Sequence, residues 1–377
     1  MDVVEVALRE MKNRLARLSS SSILVNTVTG FVIYYIAHWE EYPSVLPVCL
    51  EFVQARGAKA LLESDTSLQW YLDFFLEKCI DSRQLGSTVA LFAIPTVAVV
   101  VKEMIEKNLM KDTDMQEVIT RLTHYLLEAS QPEESLSFRS AAAASLKLAG
   151  RTLVEMPNKN AETSRNLFLL ILNLVQDEEK DVRADTASFL ADLLSSFDTN
   201  SSPEQHRLLQ LSPIRCLEGF SKSVHHWFSP QNLFPVLFEL LKESDSSKDK
   251  LESLYEREPA NFFREETGSV SFLLKVAESL SAVTASDVLP SQLGFDMQEV
   301  IEEVGHDLIC IQSNSSFENG AATEWHFVLP SAICTVLTRL SARLTIISLC
   351  YPTSQTNPRF IELRSTVEKL SRYRTSV

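Results

Sequence analysis

The chain has 377 residues and a formal net charge of −15 at pH 7. Its composition, 45% hydrophobic and 23% charged, is that of a globular protein with enough apolar side chains for a large core. The acidic balance excludes nucleic-acid binding through the overall field, so any RNA contact must come from a local patch or a partner. With only nine Gly and fourteen Pro, the chain favours helices over sheets.

Helical periodicity begins near the N-terminus, where an amphipathic pattern covers residues 4–18. Further helices are predicted at 23–39, 43–63, 67–80, 83–109 and 113–130. Pro95 is expected to interrupt the helical region 83–109, because proline has no backbone N–H and crowds the preceding turn.

Two uncharged runs, 23–39 and 85–101, approach the length of a membrane span. The first contains several polar residues and the second contains Pro95, and a helix that is apolar on all sides also suits the interior of a large helical protein. The prediction is therefore a cytoplasmic (cytosolic) protein with buried core helices and no membrane partner.

The clearest pattern lies at residues 166–195, where two amphipathic helices flank the charged turn QDEEKD. Apolar residues recur at helical spacing in the first half at Leu167, Leu170, Ile171 and Val175, and in the second half at Val182, Ala187, Leu190 and Leu194. Such a pair is a helical hairpin, and it needs similar neighbours to bury its apolar faces.

The turn of this hairpin carries a further signal, because Asp177 lies six residues before Arg183 and Val182 precedes that arginine. This resembles the HEAT-repeat pattern of an aspartate in the turn and Val-Arg at the start of the second helix. Asp177 and Asp181 are expected to accept from free N–H groups at the helix start, and Arg183 to reach the turn of an adjacent repeat. The alternative is an isolated helical hairpin in another all-α domain.

A second copy of the pattern begins at Phe138-Arg139, 44 residues before Val182-Arg183. Glu133 replaces the turn aspartate, and Ala142, Leu146 and Leu148 are predicted to face the core. The interval falls within the ~40–47-residue period of HEAT and armadillo units. The predicted fold is an all-α, HEAT/armadillo-like α–α solenoid of about seven or eight stacked helical hairpins.

Later helices are predicted at 208–224, 296–313 and 326–351. Between them, His225-His226 could suggest a metal site, but adjacent histidines point in different directions and no third ligand has a suitable spacing. A partly exposed loop without metal is predicted. The six cysteines form no C-x-x-C pair and indicate reduced, buried thiols in an intracellular protein.

The segment LYEREPANFFREE at 254–266 mixes aromatic and charged residues densely. Its candidate partner-binding residues are Tyr255, Glu256, Asn261, Phe262, Phe263 and Glu265. Adjacent phenylalanines on a helix diverge by about 100°, so one of them could line a surface groove. The alternative is a helix start with two buried aromatic side chains.

Two of these stretches resemble the THADA family, large HEAT-like regulators of tRNA ribose methylation. The first is LFLLILNLVQDEEKDVRADTASFL at 167–190, and the second pairs Leu254-Tyr255-Glu256-Arg257 with Asn261-Phe262-Phe263 and Glu265. The resemblance covers roughly residues 130–285 and concerns the C-terminal part of the family's proteins. Because family members are several times longer, it predicts that this chain is a C-terminal fragment, a short isoform or a partial gene product.

The resemblance implies a non-catalytic subunit without a cofactor or metal of its own. Its implied partner is an FtsJ-type 2′-O-methyltransferase, which holds S-adenosylmethionine, and tRNA is bound mainly through the complex at its anticodon loop. The alternative is a HEAT-repeat protein–protein interaction scaffold or transport adaptor unrelated to tRNA. An enzyme is the least favoured alternative, because no catalytic set is apparent from spacing.

The C-terminal segment 331–377 is basic, with seven Lys and Arg against two Glu. Its candidate RNA contacts are Arg359, Arg364, Arg372 and Arg374. The alternative is a solvated helix face whose charges serve solubility. Three regions are predicted: weakly matched helical repeats at 1–130, HEAT-like repeats at 131–285, and a helical region with the basic tail at 286–377.

Overall fold

The computed structural model describes residues 34–36, 38, 41, 45–56, 86–108, 112–157, 159–196, 213–242, 268–281, 297–314 and 331–372. Throughout these residues the regular secondary structure is helical and contains no strand, which confirms the all-α prediction for this part of the chain. The chain divides into two compact units, Met1–Cys216 and Leu217–Val377.

Six helices of the first unit have both ends within the described residues: α1 Leu46–Arg56, α2 Gly86–Lys107, α3 Asp112–Ala129, α4 Leu136–Glu155, α5 Ala161–Val175 and α6 Lys180–Ser195. Residues 34–36 are also helical. Helix α7, Pro213–Ser223, contains the boundary between the units. The most extensive contacts join helices two apart in the chain, with α4 packed against α2 and α6, and α5 packed against α3. Helix α1 packs against α2.

Helix α2 is continuous through Pro95, so the predicted interruption at that residue is wrong. Its neighbour Thr96 is fully buried, and the Thr96 hydroxyl donates to the Phe92 carbonyl at 2.6 Å and to the Leu50 carbonyl at 3.3 Å. Proline removes one backbone donor, but burial of the surrounding apolar residues holds the helix together. The helix is followed by Asn108, whose positive φ of 54° is typical of a helix C-terminus.

Helix α4 buries Ala142 and Leu146 as predicted, but it exposes Leu148 to 38%. The prediction for Leu148 was wrong because side chains two positions apart on a helix point about 200° away from each other. Leu146 and Leu148 therefore cannot face the same core. The first turn of α4 instead buries Arg139, a charged residue.

The second unit contains five helices among the described residues: α8 Pro230–Lys242, α9 Gly268–Ser281, α10 Met297–Asn314, α11 Ser331–Cys350 and α12 Pro358–Arg372. Two 3-10 turns, Val224–His226 and Pro352–Thr356, precede α8 and α12. Helix α11 packs against α8, α9, α10 and α12, and α10 also packs against α12. An aromatic group joins Phe220 to Trp227 and Phe228, with ring centroids 5.5 and 6.3 Å apart.

Several predicted helices agree with the structure, including 113–130, 296–313 and 326–351, whose counterparts are α3, α10 and α11. The predicted helices 4–18 and 67–80 lie outside the described residues. In the portions of the chain that the structure describes, no helix combines the length and hydropathy needed to cross a membrane.

Candidate functional site

The turn between α5 and α6 is organised around the carboxylate of Asp177. The Asp177 Oδ1 atom accepts from the Glu179 backbone N–H at 2.8 Å, as predicted for an acid at a helix start. The Oδ2 atom accepts from Arg139 Nε, also at 2.8 Å. Asp181, the second acid predicted to accept from free N–H groups at this helix start, is exposed and accepts no hydrogen bond among the described residues. Asp177 therefore links its own turn to the preceding hairpin.

Arg139 connects two successive turns through three of its nitrogen atoms. Besides Asp177, its Nη2 donates to Glu178 Oε1 at 3.0 Å. Its Nη1 donates to the carbonyl of Glu134 at 2.7 Å, within the turn that precedes its own helix. The side chain is only 6% exposed, so these partners replace most of the water that the guanidinium has lost.

Arg183 bonds within its own turn, in contrast to the prediction that it reaches an adjacent repeat. Its Nη1 donates to the carbonyls of Asp177 at 2.6 Å and Glu178 at 2.8 Å. Arg139 therefore makes the inter-hairpin contact that was expected of Arg183. The sequence pattern placed both arginines at the starts of their helices but could not show which way each guanidinium turns.

A polar contact with a regular spacing connects α3 to α5. The hydroxyls of Thr120 and Thr163 lie 2.9 Å apart, and Asn173 Nδ2 donates to Ser130 Oγ at 3.1 Å. Both pairs are 43 residues apart in sequence, and Ser130 directly follows α3, so equivalent positions of the two segments face each other. Asn160 strengthens this contact, because it caps α5 through the Thr163 N–H and also donates to Thr120.

Helices α4 and α6 pack tightly at Gly150. A Cβ atom at this position would lie 2.7 Å from Cε2 of Phe189, a buried residue of α6. Nearer the solvent, Lys147 and Asp185 form an ion pair at 2.6 Å between the same helices. These contacts and the Arg139–Asp177 bond fix α6 against α4.

In the second unit, Arg343 is buried among the apolar residues of α11. It bonds Glu303 at 2.5 Å and Asp307 at 3.4 Å, and its guanidinium lies 5.4 Å from the centre of the Phe238 ring. Arg343 was counted with the basic C-terminal segment, but its charge is compensated inside the protein. The signal that sequence reasoning missed is a pair of carboxylates one helical turn apart on α10.

The predicted RNA contacts Arg359 and Arg364 are exposed on α12, where they pair with Glu362 at 3.0 Å and Glu368 at 3.1 Å. Arg372 belongs to the same helix, and Arg374 lies outside the described residues. The predicted partner-binding residues also lie outside the described residues: Tyr255, Glu256, Asn261, Phe262, Phe263 and Glu265. Both sets stay predictions.

His225 and His226 lie in the 3-10 turn before α8. The Ser279 hydroxyl donates to the Lys222 carbonyl at 3.0 Å, so Ser279 accepts from His225 Nδ1 at 2.7 Å. Burial and the neighbouring His226 lower the pKa of His225. Across the described residues, no group of three or more His, Cys, Asp or Glu is arranged to hold a metal ion.

Three further groups have pKa values changed by burial. The pKa values of Cys49 and Cys216 are raised to about 12, so both buried thiols are protonated and unreactive at neutral pH. Burial lowers the pKa of Lys159 to about 8. Lys159 Nζ donates to the carbonyls of Val154 at 2.6 Å and Met156 at 2.8 Å, at the C-terminal end of α4.

Comparisons of the chain with protein-family profiles, with curated proteins and with solved structures found no match at a significant level. The resemblance to the THADA family therefore stays a prediction that depends on residues 167–190 and 254–265.

Proposed function

We propose that this chain is a non-catalytic helical-repeat scaffold that supports tRNA 2′-O-methylation by an FtsJ-type methyltransferase. The observation that carries the scaffold part of the proposal is the contact of Arg139 with Asp177, since it joins one turn to the next. The Thr120–Thr163 and Ser130–Asn173 pairs support it, because they recur at a separation of 43 residues.

A HEAT-like solenoid is the arrangement that best accounts for these contacts. In a solenoid each hairpin packs mainly against its neighbours, so equivalent helices meet at an interval of one repeat. The packing of α4 against α2 and α6, and of α5 against α3, follows this rule. Such an array offers extended surfaces to large partners rather than an enclosed catalytic pocket.

The tRNA-methylation part of the proposal depends on the family resemblance. It is supported by the sequence of the Asp177 turn and by the aromatic and acidic residues at 254–266. In this proposal the methyltransferase supplies S-adenosylmethionine and the chemistry, and the scaffold holds the enzyme on the tRNA anticodon loop. The resemblance supports a cytosolic location for the complex.

Co-expression of the tagged full chain with an FtsJ-type methyltransferase tests this function. The proposal expects the two proteins to purify together and the mixture to methylate tRNA faster than the enzyme alone. The matched control is a methyltransferase from another family, which should not be retained. If the chain retains neither enzyme nor tRNA but purifies from cells with a transport cargo, the adaptor alternative replaces the proposal.

A further inference from the structure

Arg139 and Arg183 hold their own turns in the same way. Each lies in the first turns of its helix, and each uses Nη1 to donate to the carbonyl five residues earlier, at 2.7 Å for Glu134 and 2.8 Å for Glu178. Each Nη1 also reaches a second carbonyl, which is that of Pro132 at 3.5 Å for Arg139 and that of Asp177 at 2.6 Å for Arg183. The two arginines are therefore equivalent parts of successive hairpins.

The opposite edges of the two guanidinium groups differ in what they bind. The Nε and Nη2 atoms of Arg139 bind the carboxylates of Asp177 and Glu178. Among the residues that the structure describes, no hydrogen-bond or ion-pair partner occupies Nε or Nη2 of Arg183. Asp177, which binds Arg139, lies 38 residues after it. The residue 38 positions after Arg183 is Ser221, which has no carboxylate and whose hydroxyl donates to the Glu218 carbonyl.

We propose that the Nε–Nη2 edge of Arg183 is a binding site for an aspartate or glutamate side chain of a partner protein. This edge of arginine matches the two oxygens of a carboxylate and forms two parallel charge-assisted hydrogen bonds. Arg139 provides an example within the same chain, because its Nη1 atom also bonds turn carbonyls while its Nε and Nη2 atoms bind the carboxylates of Asp177 and Glu178. The carbonyl contacts of Arg183 also reduce the conformational entropy that the side chain loses on binding.

The charge around Arg183 favours a single carboxylate over the phosphates of RNA. Glu178 is 73% exposed, and Glu179 and Asp181 are exposed in the same turn. A nucleic acid brings a continuous row of phosphates to such a surface, and the nearby acids repel it. A carboxylate on a protein brings one charge and can be flanked by basic residues that pair with those acids.

The isotope-labelled full chain can be tested by recording arginine Nε–H resonances during titration with a peptide that carries one glutamate flanked by lysines. The Arg183 signal is assigned by its loss in Arg183→Lys, a variant that keeps the positive charge and a donor for the turn carbonyls but removes the bidentate edge. Arg121→Gln is the matched control, because Arg121 is an exposed arginine of α3 in the same unit.

The proposal expects a saturable shift of the Arg183 resonance in the natural chain. Isothermal titration calorimetry with the same peptide should give an affinity at least about tenfold weaker in Arg183→Lys and unchanged in Arg121→Gln. The same peptide with glutamine in place of glutamate should not shift the resonance. An unchanged Arg183 resonance, or equal weakening in both variants, overturns the proposal. A larger response to a single-stranded RNA oligonucleotide than to the peptide also overturns it and assigns the edge to phosphate.

Discussion

Arg139 Nε and Asp177 Oδ2 lie 2.8 Å apart, although the two residues are separated by 38 positions in the chain. Both side chains are almost fully removed from solvent, at 6% and 4% exposure. A buried ion pair adds little net stability when it is complete, but loss of one partner leaves an uncompensated charge inside the protein. The pair therefore makes the position of α4 relative to the next turn sensitive to either residue.

The first prediction is that Asp177→Ala lowers the free energy of unfolding by about 3–5 kcal/mol, because Arg139 then stays buried without its main carboxylate. Urea unfolding of the full chain measures the change. Asp185→Ala is the matched control, since Asp185 pairs with Lys147 in a partly exposed position. That substitution should cost less than about 1 kcal/mol. Equal effects of the two substitutions would contradict the role assigned to Asp177.

The second prediction is that Arg183→Ala costs about 1–2 kcal/mol, less than Asp177→Ala, because it removes contacts to two carbonyls of one turn. Arg183→Lys should recover part of this loss. Thermal unfolding of the three proteins gives the comparison. An unchanged melting temperature in Arg183→Ala would mean that the two carbonyl contacts do not stabilise the turn.

The sequence predicted the hairpin at 166–195 well, because its apolar spacing, charged turn and Val-Arg signal agree. Leu167, Leu170, Ile171 and Val175 are all buried as expected. Local patterns succeeded here because a helix needs only one apolar face and a suitable turn to form against its neighbours.

Errors arose where tertiary contacts override a local rule. Pro95 was expected to break a helix, but the buried surroundings of α2 keep it continuous. The partner of Arg139 could not be predicted, because Asp177 is distant in sequence and either arginine could have reached it. Arg343 gave a similar error, since its charge alone suggested an exposed basic surface.

The third prediction concerns Phe262 and Phe263, which lie outside the described residues. If one packs inward and the other lines a groove, alanine at the inward position should cost about 3–5 kcal/mol of stability. Alanine at the outward position should leave folding intact and weaken capture of the methyltransferase or tRNA. Unfolding curves and a pull-down separate the two effects. If both substitutions unfold the chain, or neither reduces capture, the partner-binding role of this segment is wrong.

The fourth prediction uses the lowered pKa of Lys159, about 8 in the folded protein against 10.5 for the unperturbed group. Between these values the unfolded chain binds more protons at this site than the folded chain, so stability rises with pH across that window. Lys159→Met lacks this dependence. The difference in unfolding free energy between the two proteins should therefore shift in favour of the natural chain from pH 8 to 10.5.

Titration of Cys49 and Cys216 lowers stability as the pH rises, because their pKa values are raised in the folded protein. This effect is the same in the natural chain and in Lys159→Met, so it cancels in the difference between their unfolding free energies. Lys147→Met is the control, since Lys147 is an exposed lysine of the same unit. The prediction is wrong if the difference in unfolding free energy between the natural chain and Lys159→Met stays constant from pH 8 to 10.5. That result would show that Lys159 titrates as it does in water.

The fifth prediction is that Gly150→Ala destabilises the chain, although alanine is the better helix former. The new methyl group would lie 2.7 Å from Cε2 of Phe189, which is itself buried. Overpacking of this kind costs about 1–3 kcal/mol, whereas the gain in helix propensity is at most about 1 kcal/mol. Gly305→Ala is the control, because its nearest neighbour is the end of the flexible Arg359 side chain at 3.4 Å.

The sign of the Gly150→Ala effect should depend on Phe189. Phe189→Leu shortens the side chain that occupies the space beside Gly150, so adding Gly150→Ala to it should be neutral or stabilising by up to about 1 kcal/mol. Urea unfolding of the two single variants and the double variant gives this coupling energy. If Gly150→Ala destabilises equally with Phe or Leu at position 189, the contact between α4 and α6 at this point does not control their spacing.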